Sequence, residues 1–189
     1  MKDKTLKTIN IINLVTFLGM ITVNALANIL PINSIGTGAV SDAYPNLFAP
    51  AAITFSIWGV IYLLLALFML YSFGVFKGKG TQDDAAIGRI GICFALSSVA
   101  NTAWIFAWHY QKIGLALILM LVIFASLAYT YVRIRKDQLT KKEKTFVSVP
   151  FSVYFGWITI ASIANIVTYL VSIGWNGFSV EQSVWMIVV

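Results

Sequence analysis

The stretch Val149–Tyr169 reads VPFSVYFGWITIASIANIVTY and contains no charged residue. Within it, Tyr154, Trp157, Ala161 and Asn165 follow one another at steps of three, four and four residues. This spacing places the four side chains on one face of an α-helix, stacked along its axis. Because two large aromatics, a small residue and an amide share this face of an apolar helix, we expect it to point inward and form one wall of a site.

The rest of the chain is also strongly apolar. Of its 189 residues, 59% are hydrophobic and 11% are charged, and the mean hydropathy is +0.86. A soluble domain usually carries about 25% charged residues, so this composition predicts an integral membrane protein whose main partner is the lipid bilayer. The net charge of +6 does not indicate a nucleic-acid partner, since the basic residues lie at chain ends and in loops.

Five segments are long enough to cross about 30 Å of hydrocarbon at about 1.5 Å per residue. They lie at about residues 9–30, 50–73, 87–108, 113–132 and 146–173. We therefore predict an all-α fold, with residues 1–189 forming a single five-helix transmembrane bundle. Residues 183–189 begin a further apolar run, which we interpret either as the start of a sixth helix or as a tail at the membrane interface.

The basic residues predict the orientation of the bundle. Three lysines precede the first segment and six lysines and arginines lie in residues 133–144, whereas the loop 31–49 has none. In total, twelve of the thirteen basic residues fall in parts of the chain that the five spans place on the same side of the membrane. The positive-inside rule then places the N-terminus inside and the C-terminus outside, and we expect a multi-pass protein of a bacterial cytoplasmic membrane. The loop 31–49 either folds onto the bundle or is an ordinary surface loop.

Other segments carry similar faces of aromatic and polar side chains. These faces are Asn13, Phe17, Met20 and Asn24; Phe55, Trp58 and Tyr62; and Ser97, Asn101, Trp104 and Trp108. An unpaired amide facing lipid costs several kcal/mol, so Asn24, Asn101 and Asn165 should point into the bundle. Such amides and small residues can serve helix packing alone, and the pattern by itself leaves packing and a ligand cavity both open.

Tryptophans near the ends of the segments have a different interpretation. Trp108, Trp175 and Trp185 lie where an aromatic belt at the membrane interface is expected. Trp58 and Trp157 lie deeper within their segments, which does not fit a belt.

Three of these patterns resemble the TspO/MBR family, which comprises tryptophan-rich sensory proteins and translocator proteins. The run 50–62, PAAITFSIWGVIY, is similar to the family's second helix, and 101–104, NTAW, is similar to its third. The run 154–165 matches the fifth-helix pattern of tyrosine, tryptophan, alanine and asparagine. The resemblance covers about residues 9–173. The chain departs from the family before Pro50, where it has one proline and no tryptophan, and in its fourth segment, which lacks an acidic residue.

The resemblance implies a pocket inside the bundle, closed by the first loop and open to porphyrin-like (tetrapyrrole), sterol-like or isoquinoline-type ligands. It also implies a frequent homodimer. No cofactor is required, and porphyrin or haem is a ligand to be expected. With the helical faces above, the candidate ligand-binding residues are Phe55, Trp58, Tyr62, Ser97, Asn101, Trp104, Tyr154, Trp157, Ala161 and Asn165. Indole faces suit a planar hydrophobic molecule, and amides can orient its polar edge.

Three functions remain open on these grounds. The first is binding, sensing or transport of a porphyrin-like or sterol-like ligand. The second is light- and oxygen-dependent porphyrin degradation, with Trp157 and Trp58 as redox partners, and the third is a small secondary transporter. No acidic residue lies within any segment, which argues against hydrolytic or metal catalysis and ion-coupled transport. We expect the one histidine, His109, to cap a helix at the interface rather than to ligate haem or another metal.

Overall fold

The computed structural model of the protein describes residues 3–30, 32–76, 83–135 and 138–188. These residues form helices and no strand, which confirms the all-α prediction. The helices are α1 (Asp3–Ile29), α2 (Thr37–Asp42), α3 (Ile57–Ser72), α4 (Asp83–Ile90), α5 (Cys93–His109), α6 (Ile113–Ile134), α7 (Lys141–Glu143), α8 (Val149–Ser172) and α9 (Gln182–Val188). Short 3-10 turns occupy Ile32–Ser34, Ala52–Ser56 and Gly177–Ser179, and a π-helical segment, Lys144–Ser148, joins α7 to α8.

Four helical stretches are long and apolar enough to cross a membrane. They are Lys4–Ile29, Ile53–Ser72, Ile113–Ile134 and Lys141–Ser172. They coincide with the first, second, fourth and fifth predicted spans, so the protein is a multi-pass membrane protein. The remaining predicted span contains α5, which has 17 residues and is shorter than the roughly 20 that a typical spanning helix needs.

The third predicted span is divided in two. We expected one helix over residues 87–108, but α4 ends at Ile90 and α5 begins at Cys93. Gly91 lies between them with a φ of +53°, in the left-handed region that ends helices and that glycine adopts readily. The freed carbonyl of Gly91 accepts a hydrogen bond from Asn13 Nδ2 at 3.0 Å. An amide of α1 thus satisfies the backbone at the break.

The polar face of α1 lies inside the bundle as predicted. Asn13, Phe17, Met20 and Asn24 are all buried, and α1 packs against α5. Asn24 Nδ2 donates to Asn101 Oδ1 at 2.8 Å, which joins the two helices through their amides. Because lipid offers these groups no partner, pairing within the bundle is how they avoid the cost of burial.

An aromatic cluster joins α3, α5 and α8 below the site described next. Phe68, Phe94 and Phe151 meet edge to face, with ring centroids 5.0–5.7 Å apart. All three rings are essentially inaccessible. Edge-to-face contacts at this separation are favourable, so the cluster fixes the spacing of the three helices.

Candidate functional site

A small cavity lies between α3, α5, α6 and α8, beneath the first loop. Its volume is about 30 Å³. Its walls are formed by Ser41, Pro50, Phe55, Trp58, Trp104, Trp108, Met120, Trp157, Ala161, Ala164, Asn165 and Thr168. Six of the ten predicted ligand-binding residues therefore surround one space: Phe55, Trp58, Trp104, Trp157, Ala161 and Asn165.

Aromatic rings from three helical segments form most of the wall. The Trp157 ring lies edge-on to Trp58, with centroids 6.1 Å apart, and to Phe55 at 6.3 Å. On the opposite side, Trp104 and Trp108 are stacked at 5.3 Å, as expected for residues four apart on α5. All five rings belong to the cavity wall, and aromatic rings suit contact with a flat apolar molecule.

The amide of Asn165 is held in a fixed orientation at the wall. Its Oδ1 accepts a hydrogen bond from Trp104 Nε1 at 3.0 Å, and its Nδ2 donates to the Ala161 carbonyl at 2.9 Å. The prediction that Asn24, Asn101 and Asn165 point inward is confirmed, since all three are buried. Asn165 stabilises the position of the Trp104 indole through this bond.

The other four predicted ligand-binding residues lie outside the cavity wall. Tyr62 and Tyr154 contact the Trp58 ring, and Asn101 interacts with Tyr154; all three precede or follow a wall residue by one helical turn. Ser97 precedes Asn101 by a further turn, and its hydroxyl donates to the Phe94 carbonyl within α5 at 2.8 Å. Helical spacing assigns residues to a face, but it gives no information on where along that face the cavity ends.

Trp108 corrects the interface-belt interpretation. It is 3% exposed and lines the cavity, and its Nε1 donates to the Thr37 carbonyl of the first loop at 3.0 Å. The four-residue step from Trp104 to Trp108 could have predicted this position, because it places both indoles on the same face of α5. No motif indicated Met120 of α6 or Ser41 of the loop, because their places in the wall depend on how the helices and the loop dock. Pro50 begins the run that resembles the family's second helix, but it was not among the predicted ligand-binding residues.

His109 is also not the interfacial cap that we expected. It is fully buried beneath the first loop, with Nδ1 3.2 Å from the Ile32 carbonyl and Nε2 3.0 Å from Thr37 Oγ1. Because a carbonyl only accepts, Nδ1 donates to Ile32, while Nε2 and the Thr37 hydroxyl share the second hydrogen bond. Both ring nitrogens are thus engaged. Within the described residues, no three His, Cys, Asp or Glu side chains cluster as a metal site would need.

These bonds fasten the first loop onto the bundle, and a further one adds to them. Asn33 Nδ2 donates to the His109 carbonyl at 3.1 Å. The loop helix α2 is packed down at Thr37, Val40 and Ser41, which are all buried. The structure therefore shows that the loop folds onto the bundle and is not an ordinary surface loop. We call the contacts of Asn33 and Thr37 with Trp108 and His109 the loop latch.

Replacing Thr37 by valine should loosen the loop latch. The change keeps the side-chain shape but leaves the buried Nε2 of His109 without a partner, which costs about 1–3 kcal/mol. Backbone amides of residues 32–41 should then exchange with deuterium about tenfold faster. The matched control is Ser34→Ala, at an exposed position of the same loop. Equal exchange in the valine variant and the parent protein would show that the latch does not hold the loop.

A larger groove lies on the outside of α8, between the first loop and the C-terminal segment. Its volume is about 440 Å³, and apolar side chains of α8 form its floor. Its amide side chains, Asn46 and Asn176, are bonded to the backbone of their own turns. The groove therefore has little to orient a polar ligand group, and its apolar surface suits lipid chains.

The cavity in this structure is closed. About 30 Å³ is room for one or two water molecules, whereas sites for drug-sized ligands occupy roughly 300–1,000 Å³. A planar ligand can enter only if the surrounding side chains separate. The parts of the cavity wall outside α3, α5, α6 and α8 are the first loop, which contributes Ser41, and the segment that runs from Pro50 through the 3-10 turn Ala52–Ser56.

Comparison with known proteins places these features in a family. The chain matches the family model described as TSPO-like protein over residues 10–189. No curated protein and no solved structure shows a significant match. The matched region includes the tryptophans of the cavity, the loop latch and all helices except the first residues of α1. The chain belongs to the TSPO-like protein family.

Proposed function

We propose that the protein is a membrane binding protein, of sensory or transport type, for a planar hydrophobic ligand of the porphyrin or sterol kind. The observation that carries this proposal is the convergence of Phe55, Trp58, Trp104 and Trp157 on one cavity beneath a latched loop. Membership in the TSPO-like family supports a membrane-bound sensory or binding role. The ligand would lie between indole faces, where stacking and apolar contact favour flat molecules.

Binding in this proposal requires the cavity to widen. Release of the loop latch would free α2 and its buried residue Ser41, which covers the cavity. The adjoining 3-10 turn Ala52–Ser56 carries Phe55 and connects the loop to α3. The closed and open states would then exchange, and the ligand would stabilise the open one by binding it more tightly.

The proposed topology keeps five spans, with α5 as the short third one and the N-terminus inside. In that orientation the first loop and the cavity face the outer side. The exposed apolar side chains of α1, α3 and α6 suit contact with lipid or with a second copy of the chain. A ligand would enter from the outer leaflet, beside the first loop.

Substituting alanine for Trp58 or Trp157 should weaken protoporphyrin binding at least about tenfold, or about 1.4 kcal/mol. Each change removes a ring that faces the cavity, and the rest of the bundle keeps its packing. Binding is measured from the shift of the porphyrin's own main absorption band, so that loss of an indole does not alter the signal. The control is Trp185→Ala, because Trp185 lines the outer groove and not the cavity.

The control also distinguishes the two sites. If both cavity variants bind protoporphyrin with the affinity of the parent protein, the cavity is not the binding site. Weaker binding only in Trp185→Ala would assign the ligand to the groove on α8.

A further inference from the structure

One face of α6 carries partly exposed rings and ends at an arginine. Phe124, Ala128, Tyr131 and Arg135 follow one another at steps of four, three and four residues, which places them on one face of the helix. Phe124 and Tyr131 are partly exposed, and Arg135 is exposed. The face therefore runs from the apolar middle of α6 to a cation just beyond its last residue, Ile134.

A ring of α8 lies beside this face. Phe155 is partly exposed, and its ring centroid is 5.4 Å from that of Phe124 and 5.3 Å from that of Tyr131. Because α6 and α8 pack against each other, the three rings lie where the two helices meet. The cavity wall contains none of these rings. We call Phe124, Tyr131, Phe155 and Arg135 the α6–α8 seam.

The arginine of the seam is held against the nearest ring. Its Nη1 donates to Tyr131 Oη at 2.6 Å, and its Cζ lies 5.3 Å from the centre of the same ring. A guanidinium presents its N–H donors as a planar fork that matches the oxygens of a phosphate. Among the described residues, no carboxylate pairs with Arg135. Its other N–H groups can therefore bind an anion at the end of the seam.

Further positive charge lies at the same end of the bundle. Lys141, Lys142 and Lys144 are exposed, and the π-helical segment that begins at Lys144 packs against α6. The acidic residue among them, Glu143, is buried, and its Oε2 accepts the backbone N–H of Thr140 at 2.7 Å. This carboxylate points away from the surface, so the end of the seam attracts negative charge.

An occupant of the seam must match both of its ends. Partly exposed rings that face lipid suit an acyl chain, whereas a guanidinium beside ammonium groups at the membrane surface suits a phosphate. A phospholipid carries both groups, and a cluster of about four or more lysines and arginines next to a transmembrane helix favours a lipid with net negative charge. A sterol lacks the phosphate, and free phosphate lacks the chain.

We propose that the α6–α8 seam binds one anionic phospholipid, with its phosphate on the Arg135 guanidinium and an acyl chain along Phe124 and Phe155. The lysines raise the local concentration of anionic headgroups, and the held guanidinium fixes where one of them binds. The bound lipid covers rings of both helices and so stabilises their contact. It lies outside the bundle, and its binding does not depend on a ligand in the cavity.

Native mass spectrometry tests the lipid site. The purified protein is sprayed from detergent that contains equal amounts of palmitoyl-oleoyl phosphatidylglycerol and palmitoyl-oleoyl phosphatidylcholine. The parent protein should retain one phosphatidylglycerol about fivefold more than one phosphatidylcholine. Arg135→Gln should abolish this preference, because a neutral amide replaces the charged fork. Arg135→Lys keeps the charge but loses the fork, so it should restore less than half of the preference.

The matched control is Arg133→Gln, the same change two residues away. Arg133 is also exposed, and its Cζ lies 5.8 Å from the centre of the Tyr129 ring, but residues two apart do not share a helix face. This variant should keep the preference within about twofold. Because both arginines are exposed, neither change should alter the helical circular dichroism.

Equal retention of the two lipids by the parent protein would overturn the proposal. An equal loss of preference in Arg133→Gln and Arg135→Gln would also overturn it, since charge would then attract lipid diffusely and not at the seam. The same spectra report the oligomeric state. A lipid-free dimer that dissociates in Arg135→Gln would assign the seam to a second copy of the chain.

Discussion

Replacing Ala161 by leucine should abolish protoporphyrin binding, with affinity falling at least about 100-fold, or about 2.8 kcal/mol. Ala161 lies in the cavity wall, one helical turn from Trp157. Only about 30 Å³ is open there, and leucine adds three carbon atoms to it. The larger side chain occupies the space that a ligand must enter and also hinders separation of the walls. The bundle itself should lose about 1–3 kcal/mol from overpacking.

The matched control is Ala125→Leu, the same change at an exposed position of α6. It should leave both affinity and thermal stability unchanged. Binding is followed by the porphyrin absorption shift and stability by circular dichroism in detergent. Full affinity in the Ala161 variant would show that the ligand does not use this cavity, because no planar molecule could share it with the added leucine.

The largest loss of stability is expected from Phe94→Ala. Phe94 is fully buried on α5 and contacts Phe17, Phe68 and Phe151, with ring centroids 5.5–5.7 Å apart. Truncation to alanine leaves a cavity where α5 meets α1, α3 and α8, and it should cost about 3–5 kcal/mol. In a membrane, van der Waals packing rather than the hydrophobic effect holds helices together, so the lost contacts have no substitute. Reversible unfolding in mixed micelles of increasing SDS content measures this loss.

Leu96→Ala is the control for that experiment. Leu96 lies two residues along the same helix and is half exposed at the surface. Its truncation should change the free energy of unfolding by about 0.5 kcal/mol or less. If the two variants lose similar amounts of free energy of unfolding, the aromatic cluster does not determine stability. In that case α5 contributes to stability only through its length.

The helical framework was predictable because it follows from the cost of polar groups in lipid. The apolar runs had to be helices, and four of the five predicted spans are present as helical stretches of sufficient length. The same cost required Asn24, Asn101 and Asn165 to face inward, and they do. The break at Gly91 was not predictable, since an apolar run looks the same with or without it; the carbonyl that it frees is satisfied by Asn13, 78 residues away along the chain.

The sequence by itself determined which residue types face inward, because helical periodicity and the absence of water in the bilayer leave little choice. Only the tertiary structure decided the depth at which those faces meet: Trp104 and Trp157 at a cavity, and Asn101 and Tyr154 beneath it. It also decided that the first loop folds over Trp108 and His109, through hydrogen bonds between residues more than 70 positions apart. Such contacts depend on how helices dock, which no local pattern specifies.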